Sequence, residues 1–327
     1  MNTIINAANA RERIGYFGKL PGCSDFVKLA PDLELMGVLD DWLAEVMTRL
    51  PDDPRWKLHY DAMAPVSFAF VGPRRRHALA GHIVASHDQS GRRFPFLIMR
   101  AIGVTAPAQF VALCPLVLAP LFALLAGTTP SVLSAADPLT LLHDIGERAP
   151  ALTQDARAPL AAFMAQTTVG SLAATLARDE VASLMLALGI LLQPVTVRGA
   201  ADIEKSLLLP LPFDAALRPL VAAFWLELIA PFLRQADLDL ALFFTERDGV
   251  PVLVVGFCDA CVAALHAIID PAIGCHQQVS FSDTGWVDEQ IGADSAARAL
   301  ASQLAQPDLP LRLAHELFLD TFLGGST

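Results

Sequence analysis

From Ala101 to Ala136 the chain carries no charged side chain. A stretch of that kind has two folded fates: it crosses a bilayer, or it lies inside a protein. Within it, Phe110 to Ala126 is strongly apolar, but Pro107, Pro115 and Pro120 interrupt the run, and Gln109 and Thr128-Thr129 flank it. The uninterrupted part falls short of the roughly 20 residues a bilayer needs, and no Lys or Arg anchors stand beside it to set an orientation. An Ala- and Leu-rich helix buried on most sides has the same profile. The stretch therefore predicts a buried helix without stable membrane insertion. Val181 to Val197, broken by Pro194, reads the same way.

The rest of the composition fits an apolar interior. Of 327 residues, 54% are hydrophobic and 17% charged, and the formal net charge of -11 gives no general reason to bind nucleic acid or anionic lipid. The basic run Arg74-Arg75-Arg76 follows Gly72-Pro73 and reads as a solvated turn tip. Five cysteines form no even framework, and the first residues (Asn2, Asn6, Asn9, Arg11, Glu12) lack an apolar signal core. Both features predict a reducing, cytoplasmic setting.

Periodicity predicts a mixed α+β chain. Residues 1–13 read as a flexible leader. Residues 14–135 read as an α/β domain: a strand at Ile14 to Lys19, a turn at Pro21-Gly22, and a helix opened by Pro31 and closed by Pro51. That helix has Leu35, Val38, Leu39, Trp42, Leu43 and Val46 at helical spacing. Strands follow at Pro65 to Gly72, Ala78 to Ser86 and Phe94 to Val104, the last apolar enough for burial on both faces. Residues 136–236 read as helical, with a loop bracketed by Pro210 and Pro212. Residues 237–327 return to α/β character. Asp248-Gly249 marks a hairpin between Leu238–Thr245 and Val250–Phe257. A helix then runs from Asp259, a loop spans Asp283 to Trp286, and two helices finish the chain. Residues 237–327 are expected to pack with the rest as one unit.

No familiar catalytic pattern is present. Gly18-Lys19 is not a phosphate loop, because Arg13 stands where a Gly is needed and Leu20 where a Ser or Thr is needed. No Gly-x-Ser-x-Gly elbow or His-Glu-x-x-His pair occurs; His315-Glu316 runs on into Leu317-Phe318-Leu319. His82 and His87 flank a strand and read as local hydrogen-bonding groups. Cys258-Asp259-Ala260-Cys261, with Cys275-His276 nearby, has the spacing of a zinc knuckle or redox pair, but lacks a fourth ligand at tight spacing and a thioredoxin-like strand pattern before it. The alternative is two small residues in a Cys-tolerant core. The expectation is no catalytic residue, cofactor or metal.

Two blocks remain. One is Gly15-Tyr16-Phe17-Gly18-Lys19-Leu20-Pro21 continuing to Ser24-Asp25-Phe26-Val27; the other is His87-Asp88-Gln89-Ser90-Gly91-Arg92-Arg93-Phe94-Pro95-Phe96. Each combines backbone-special residues with charge and aromatics. Asp25 and Arg92 are expected to meet, either as an ion pair and turn caps or, with Lys19 and Asp88, as a patch that a partner protein reads. The candidate partner-binding or motif-structural residues are Gly18, Lys19, Pro21, Asp25, Phe26, Trp42, Asp88, Gly91, Arg92, Phe94 and Pro95.

Those blocks, with Trp42-Leu43, Ala64-Pro65-Val66 and Phe68-Ala69-Phe70, resemble the type VI secretion-associated family called TagF or ImpM; the hairpin around Leu242–Thr245 and Val252–Gly256 is similar to a weaker family block. Ser24 stands where the family usually has Gly, and Ala85-Ser86-His87 precedes Asp88 where a Pro-Ser pair is frequent. The resemblance implies a largely antiparallel mixed sheet with helices on both faces, here with a helical insertion in the middle. It implies a cytoplasmic, non-enzymatic regulator of type VI secretion that acts after translation, often as a repressor, through protein partners that include a forkhead-associated-domain protein. A scaffold at the inner-membrane or baseplate complex, or an uncharacterised hydrolase using Asp88 or His87, is the alternative.

Overall fold

A computed structural model describes residues 4–5, 14–29, 33–147, 150–153, 155–198, 205–236, 238–258, 260–281 and 285–324. Most of the expected leader, the opening of the first helix at Pro31, Asp259, and the 283–284 part of the expected loop lie outside these residues. Among the described residues, nine strands form one open sheet: β1 (Ile14–Gly18), β2 (Val27–Leu29), β3 (Val66–Val71), β4 (His77–Val84), β5 (Phe96–Gly103), β6 (Ser206–Pro210), β7 (Leu240–Arg247), β8 (Val250–Gly256) and β9 (Gln278–Ser280). Their order is β2-β1-β5-β4-β3-β7-β8-β6-β9, antiparallel throughout except for the parallel β6–β9 pair. The pairing of β3 with β7, Phe68 opposite Phe243, makes the early and late strands one continuous sheet.

Helices cover both faces, which explains why the strands read as near-continuous apolar runs. Odd and even positions feed different cores. Phe68, Phe70, Met99, Phe243 and Val254 face one core, with Leu39, Trp42, Leu43 and Val46 of α1 (Leu33–Arg49) and Leu265 and Ile269 of α9 (Val262–Ile269). Ala69, Ala80, Ile98, Leu242 and Val255 face the other, under α3 (Pro107–Ser134) and α8 (Arg218–Ala236). Around those two pack α4 (Pro138–Glu147), α5 (Arg157–Gln166), α6 (Val169–Leu176), α7 (Val181–Arg198), α11 (Gly285–Ala293), α12 (Ser295–Leu304) and α13 (Leu311–Leu323). The short α2 (Trp56–Asp61) and α10 (Pro271–Gln277) complete the set.

The uncharged stretch forms α3, and its prolines do not divide it. Pro107 sits in the first turn while Pro115, Pro120 and Pro130 lie inside one 28-residue helix. Each internal proline removes a hydrogen bond and leaves a carbonyl four residues back. One of those carbonyls, Val111 O, accepts from the Cys114 thiol at 3.3 Å. Burial outweighs the rest: Leu113, Val117, Leu118, Leu121 and Leu125 are fully enclosed. This is the one described helix long and apolar enough to cross a membrane, and 56% of its apolar window is buried inside the protein.

Two expectations fail locally. Ser206–Pro210, inside the stretch read as helical with a loop from Pro210, is an interior strand held between β8 and β9, with Leu207, Leu209 and Pro210 buried. Trp286, read as a loop anchor, lies in α11. The Asp248-Gly249 turn behaves as expected, with φ of 53° and 77°, the pair of left-handed residues a two-residue hairpin favours.

Candidate functional site

The two sequence blocks meet at the β1 end of the sheet. β1 pairs with β5, which sets Gly18 against Phe96 and brings the loop after β1 beside the loop that precedes β5. Gly18 has φ +129° and packs so tightly that an added Cβ would lie 2.0 Å from Pro95 O, a backbone and a contact that only glycine tolerates. Leu20-Pro21-Gly22-Cys23 then forms a turn closed by Cys23 N–H donating to Leu20 O at 3.0 Å.

Asp88 is the node. Its residue surface is fully buried. Oδ1 accepts from the Ser90 backbone (3.0 Å), the Ser90 hydroxyl (2.7 Å) and the Arg92 backbone (3.0 Å). Oδ2 accepts from Lys19 Nζ at 2.9 Å and Arg92 Nε at 2.7 Å. Burial alone would raise its pKa, but the hydrogen bonds from Ser90, Lys19 and Arg92 outweigh that and hold the carboxyl far below the ordinary range. Gly91, at φ +80°, completes the tight loop.

The same groups sew the two loops together. Arg92 Nη2 donates to Ser24 O at 3.2 Å, Gln89 N–H to Cys23 O at 2.9 Å, and the Ser86 hydroxyl to Lys19 O at 2.6 Å. Tyr60 supports this from α2: its hydroxyl donates to Ser86 O at 2.9 Å and accepts from Ser86 N–H at 3.0 Å. Burial raises the phenol pKa strongly. We expect Tyr60→Phe to cost about 1–3 kcal/mol, because it strands the buried Ser86 N–H and leaves Ser86 O with only the Phe94 N–H at 3.1 Å. Urea unfolding checks this; a change below a few tenths of a kcal/mol would show the pair to be satisfied otherwise.

Phe17, Phe26 and Phe94 stack beside the node, with ring centroids 4.9 to 5.8 Å apart, and Lys19 Nζ lies 5.1 Å from the Phe26 ring. Phe26 is 40% exposed and the Arg92 side chain 65%. These two, with Ser24, Asp25, Gln89, Ser90 and Gly91, form the solvent-facing surface of the joined loops.

Residues 15–144 match the family model described as "TagF N-terminal domain, Type VI secretion system-associated". They are a TagF N-terminal domain. The match runs beyond the sequence blocks through α3 and into α4, and it stops before the β7–β8 hairpin. No curated protein is a significant match to the chain. Among solved structures, the crystal structure of PA0076 from Pseudomonas aeruginosa PAO1 superposes with a TM-score of 0.43 at 14% identity, over 79% of this chain and 94% of that one. That overlay is too loose to transfer a site.

Within the TagF N-terminal domain, the expected residues divide by burial. Gly18, Lys19, Asp88, Phe94 and Pro95 are buried and hold the loops, and Trp42 lies on the α1 face in an aromatic cluster with Phe68, Phe70 and Phe243. Pro21 is half-buried in its turn; Asp25, Phe26, Gly91 and Arg92 are exposed. The expected meeting of Asp25 with Arg92 does not occur as an ion pair. Asp25 Oδ1 instead accepts its neighbour's Phe26 N–H at 2.8 Å, while Arg92 goes to Asp88, four residues back in its own loop. Sequence reasoning missed Tyr60, Ser86 and Ser90; only the Tyr60 position, aromatic in a short polar helix, carried any signal.

Elsewhere in the molecule, Asp53, His59 and Asp270 bring one potential metal-ligating atom each within 4.8 Å of one another, but Asp53 is already forked by Arg55. A groove of about 740 Å³ opens between α3 and the segment before α8. At its base His82 bonds Ser67 through Nδ1 at 3.0 Å, and burial lowers the imidazole pKa to about 4.

Proposed function

We propose that this chain is a non-enzymatic, cytoplasmic accessory protein of a type VI secretion system, and that it restrains the apparatus by binding a protein partner on the joined-loop surface. The family match supports the secretion context. The observation that carries the binding role is how Asp88 is used. Both its oxygens are saturated by donors from its own and the neighbouring loop, so the one buried carboxylate in the motif serves geometry and has no lone pair directed at a substrate. What the loops offer outward is a half-exposed aromatic ring beside a guanidinium, the residue types that dominate protein interfaces. A forkhead-associated-domain protein is the proposed partner.

The test uses exposed positions that carry no ion pair in the fold. Asp25→Arg and Gln89→Arg should each leave the melting temperature within about 2 °C, since both positions are exposed and Asp25 gives up only an exposed hydrogen bond to its neighbour's N–H. Overproduced in cells with an active type VI system, wild-type protein should suppress export, and each variant should lose about tenfold of that suppression. Asp308→Arg, on the exposed turn between α12 and α13, should suppress like wild type. Suppression by all three alike would contradict the proposal.

A further inference from the structure

The Cys258–Cys261 motif is not absorbed by the joined-loop surface. It lies where β8 ends and α9 begins, in the half of the chain outside the family match. Cys261 is the N-cap of α9, which sets its side chain at the positive end of that helix. The Cys258 thiol hydrogen-bonds the Cys261 sulfur from across the turn. Ala260 between them takes φ +42°, the left-handed conformation that bends the chain back on itself. One sulfur of the pair is exposed and the other is buried, with Cys261 at 9%. The neighbouring Cys258 thiol and the helix N-terminus favour the thiolate of this sulfur, and the Cys258 thiol is the leading cause that lowers the Cys261 pKa to about 7. Cys114 shows the opposite environment in the same protein: enclosed in the apolar core of α3, its thiol pKa is driven strongly up.

We propose that Cys258 and Cys261 are a redox-active dithiol that closes to an intrachain disulfide by exchange with a low-molecular-weight disulfide. The accessible Cys258 makes the first attack. Its proton passes to the Cys261 thiolate, its own thiolate bonds to one sulfur of the incoming disulfide as the S–S bond breaks, and the other half leaves as a thiolate. Cys261 then gives its proton to that departed thiolate, attacks the Cys258 sulfur, and releases the second half as a thiolate, which takes a proton from water. Two protein thiols are oxidised and one small disulfide is reduced to two thiols. The division of roles follows from access: the exposed sulfur meets the reagent, and the buried sulfur at the helix N-terminus resolves the mixed disulfide.

Incubation of the full chain with oxidised glutathione, followed by alkylation and peptide mass spectrometry, tests this. The expected product is one disulfide joining Cys258 to Cys261, reversed by dithiothreitol, with the exposed Cys275 outside it. Cys261→Ser should trap glutathione on Cys258, since nothing remains to resolve it. In Cys258→Ala, the alkylation of Cys261 should move its half-maximal rate to higher pH than in wild type, because the neighbouring donor that favours the thiolate is gone; a merely structural cysteine would not respond. Both cysteines alkylating fully after the oxidised-glutathione treatment would overturn the proposal, as would a disulfide that joins either of them to Cys275. Zinc retained by the untreated protein and lost in a Cys258→Ser/Cys261→Ser double variant would replace it with a metal-ligand role.

Discussion

Gly18→Ala should destabilise the protein by about 3–5 kcal/mol, the sum of a strained backbone and an overpacked contact. The methyl would sit 2.0 Å from Pro95 O and 2.8 Å from Phe96 Cα, and both are backbone atoms of the neighbouring strand and its approach. They cannot rotate away as a side-chain tip could. Relief would require β1 to separate from β5 at the Gly18–Phe96 pair, and that separation would pull Lys19 from Asp88. The φ of +129° adds a conformational cost that alanine cannot avoid. Urea unfolding of the variant measures the loss, and a cost under about 1 kcal/mol would mean that the β1–β5 junction is far more compliant than its geometry indicates.

Asp88→Asn should have an effect of similar weight with a distinct pH dependence. The amide keeps the shape, but it removes the charge that Lys19 and Arg92 face and turns one acceptor into a donor opposed to donors. Lys19 would be left nearly buried and without a counter-charge. Breaking such a pair by removing one partner is costly, and a fall in Tm on the order of 5–10 °C at pH 7 is expected for a chain of this size. The wild-type carboxyl titrates below its ordinary value of 3.8 in the fold. Its contribution to stability is therefore complete above that value and is lost as pH falls through the acid range below about 4–5. The difference in stability between wild type and variant should be constant near neutrality and shrink on acidification. Asp53, Asp61 and Asp137 are also held low, but they are common to both proteins and cancel in the difference. Curves that stay parallel down to pH 3 would show that Asp88 is not the anchoring charge.

The contrast between these two residues shows what the sequence carried. Gly18 was legible because a glycine between an aromatic and a lysine, at the end of an apolar run, has few reasons to be there. The hairpin at Asp248-Gly249 was legible for the same reason: local chemistry demands one backbone. Asp88 was recognised as part of a block, but its partner was not. By charge alone Asp25 and Asp88 had equal claims on Arg92; burial decided between them, and burial is a property of how β2 folds back on β1. There Val27 pairs with Gly18, the next residue but one after Asp25, and Asp25 is left facing solvent. The prolines of α3 and of β6 misled in one common way. Proline punctuates where the backbone is free to choose, but α3 and β6 are held by apolar burial on several sides, which outweighs about 3 kcal/mol for each lost helical bond. The meeting of β3 with β7 was likewise beyond local pattern, since it joins residues far apart in the chain.

We propose the joined loops of residues 21–26 and 89–92 as the face a secretion partner binds. The most direct measurement places a photo-crosslinking amino acid singly at Phe26, at Gln89 and at Asp308 in cells with an active type VI system, and then identifies the adducts by mass spectrometry. The expected result is the same secretion component captured from Phe26 and Gln89, and absent from Asp308. Capture of a secretion component from Asp308 alone, with none from either loop, would contradict the claim and move the interface to the helical face of the C-terminal half.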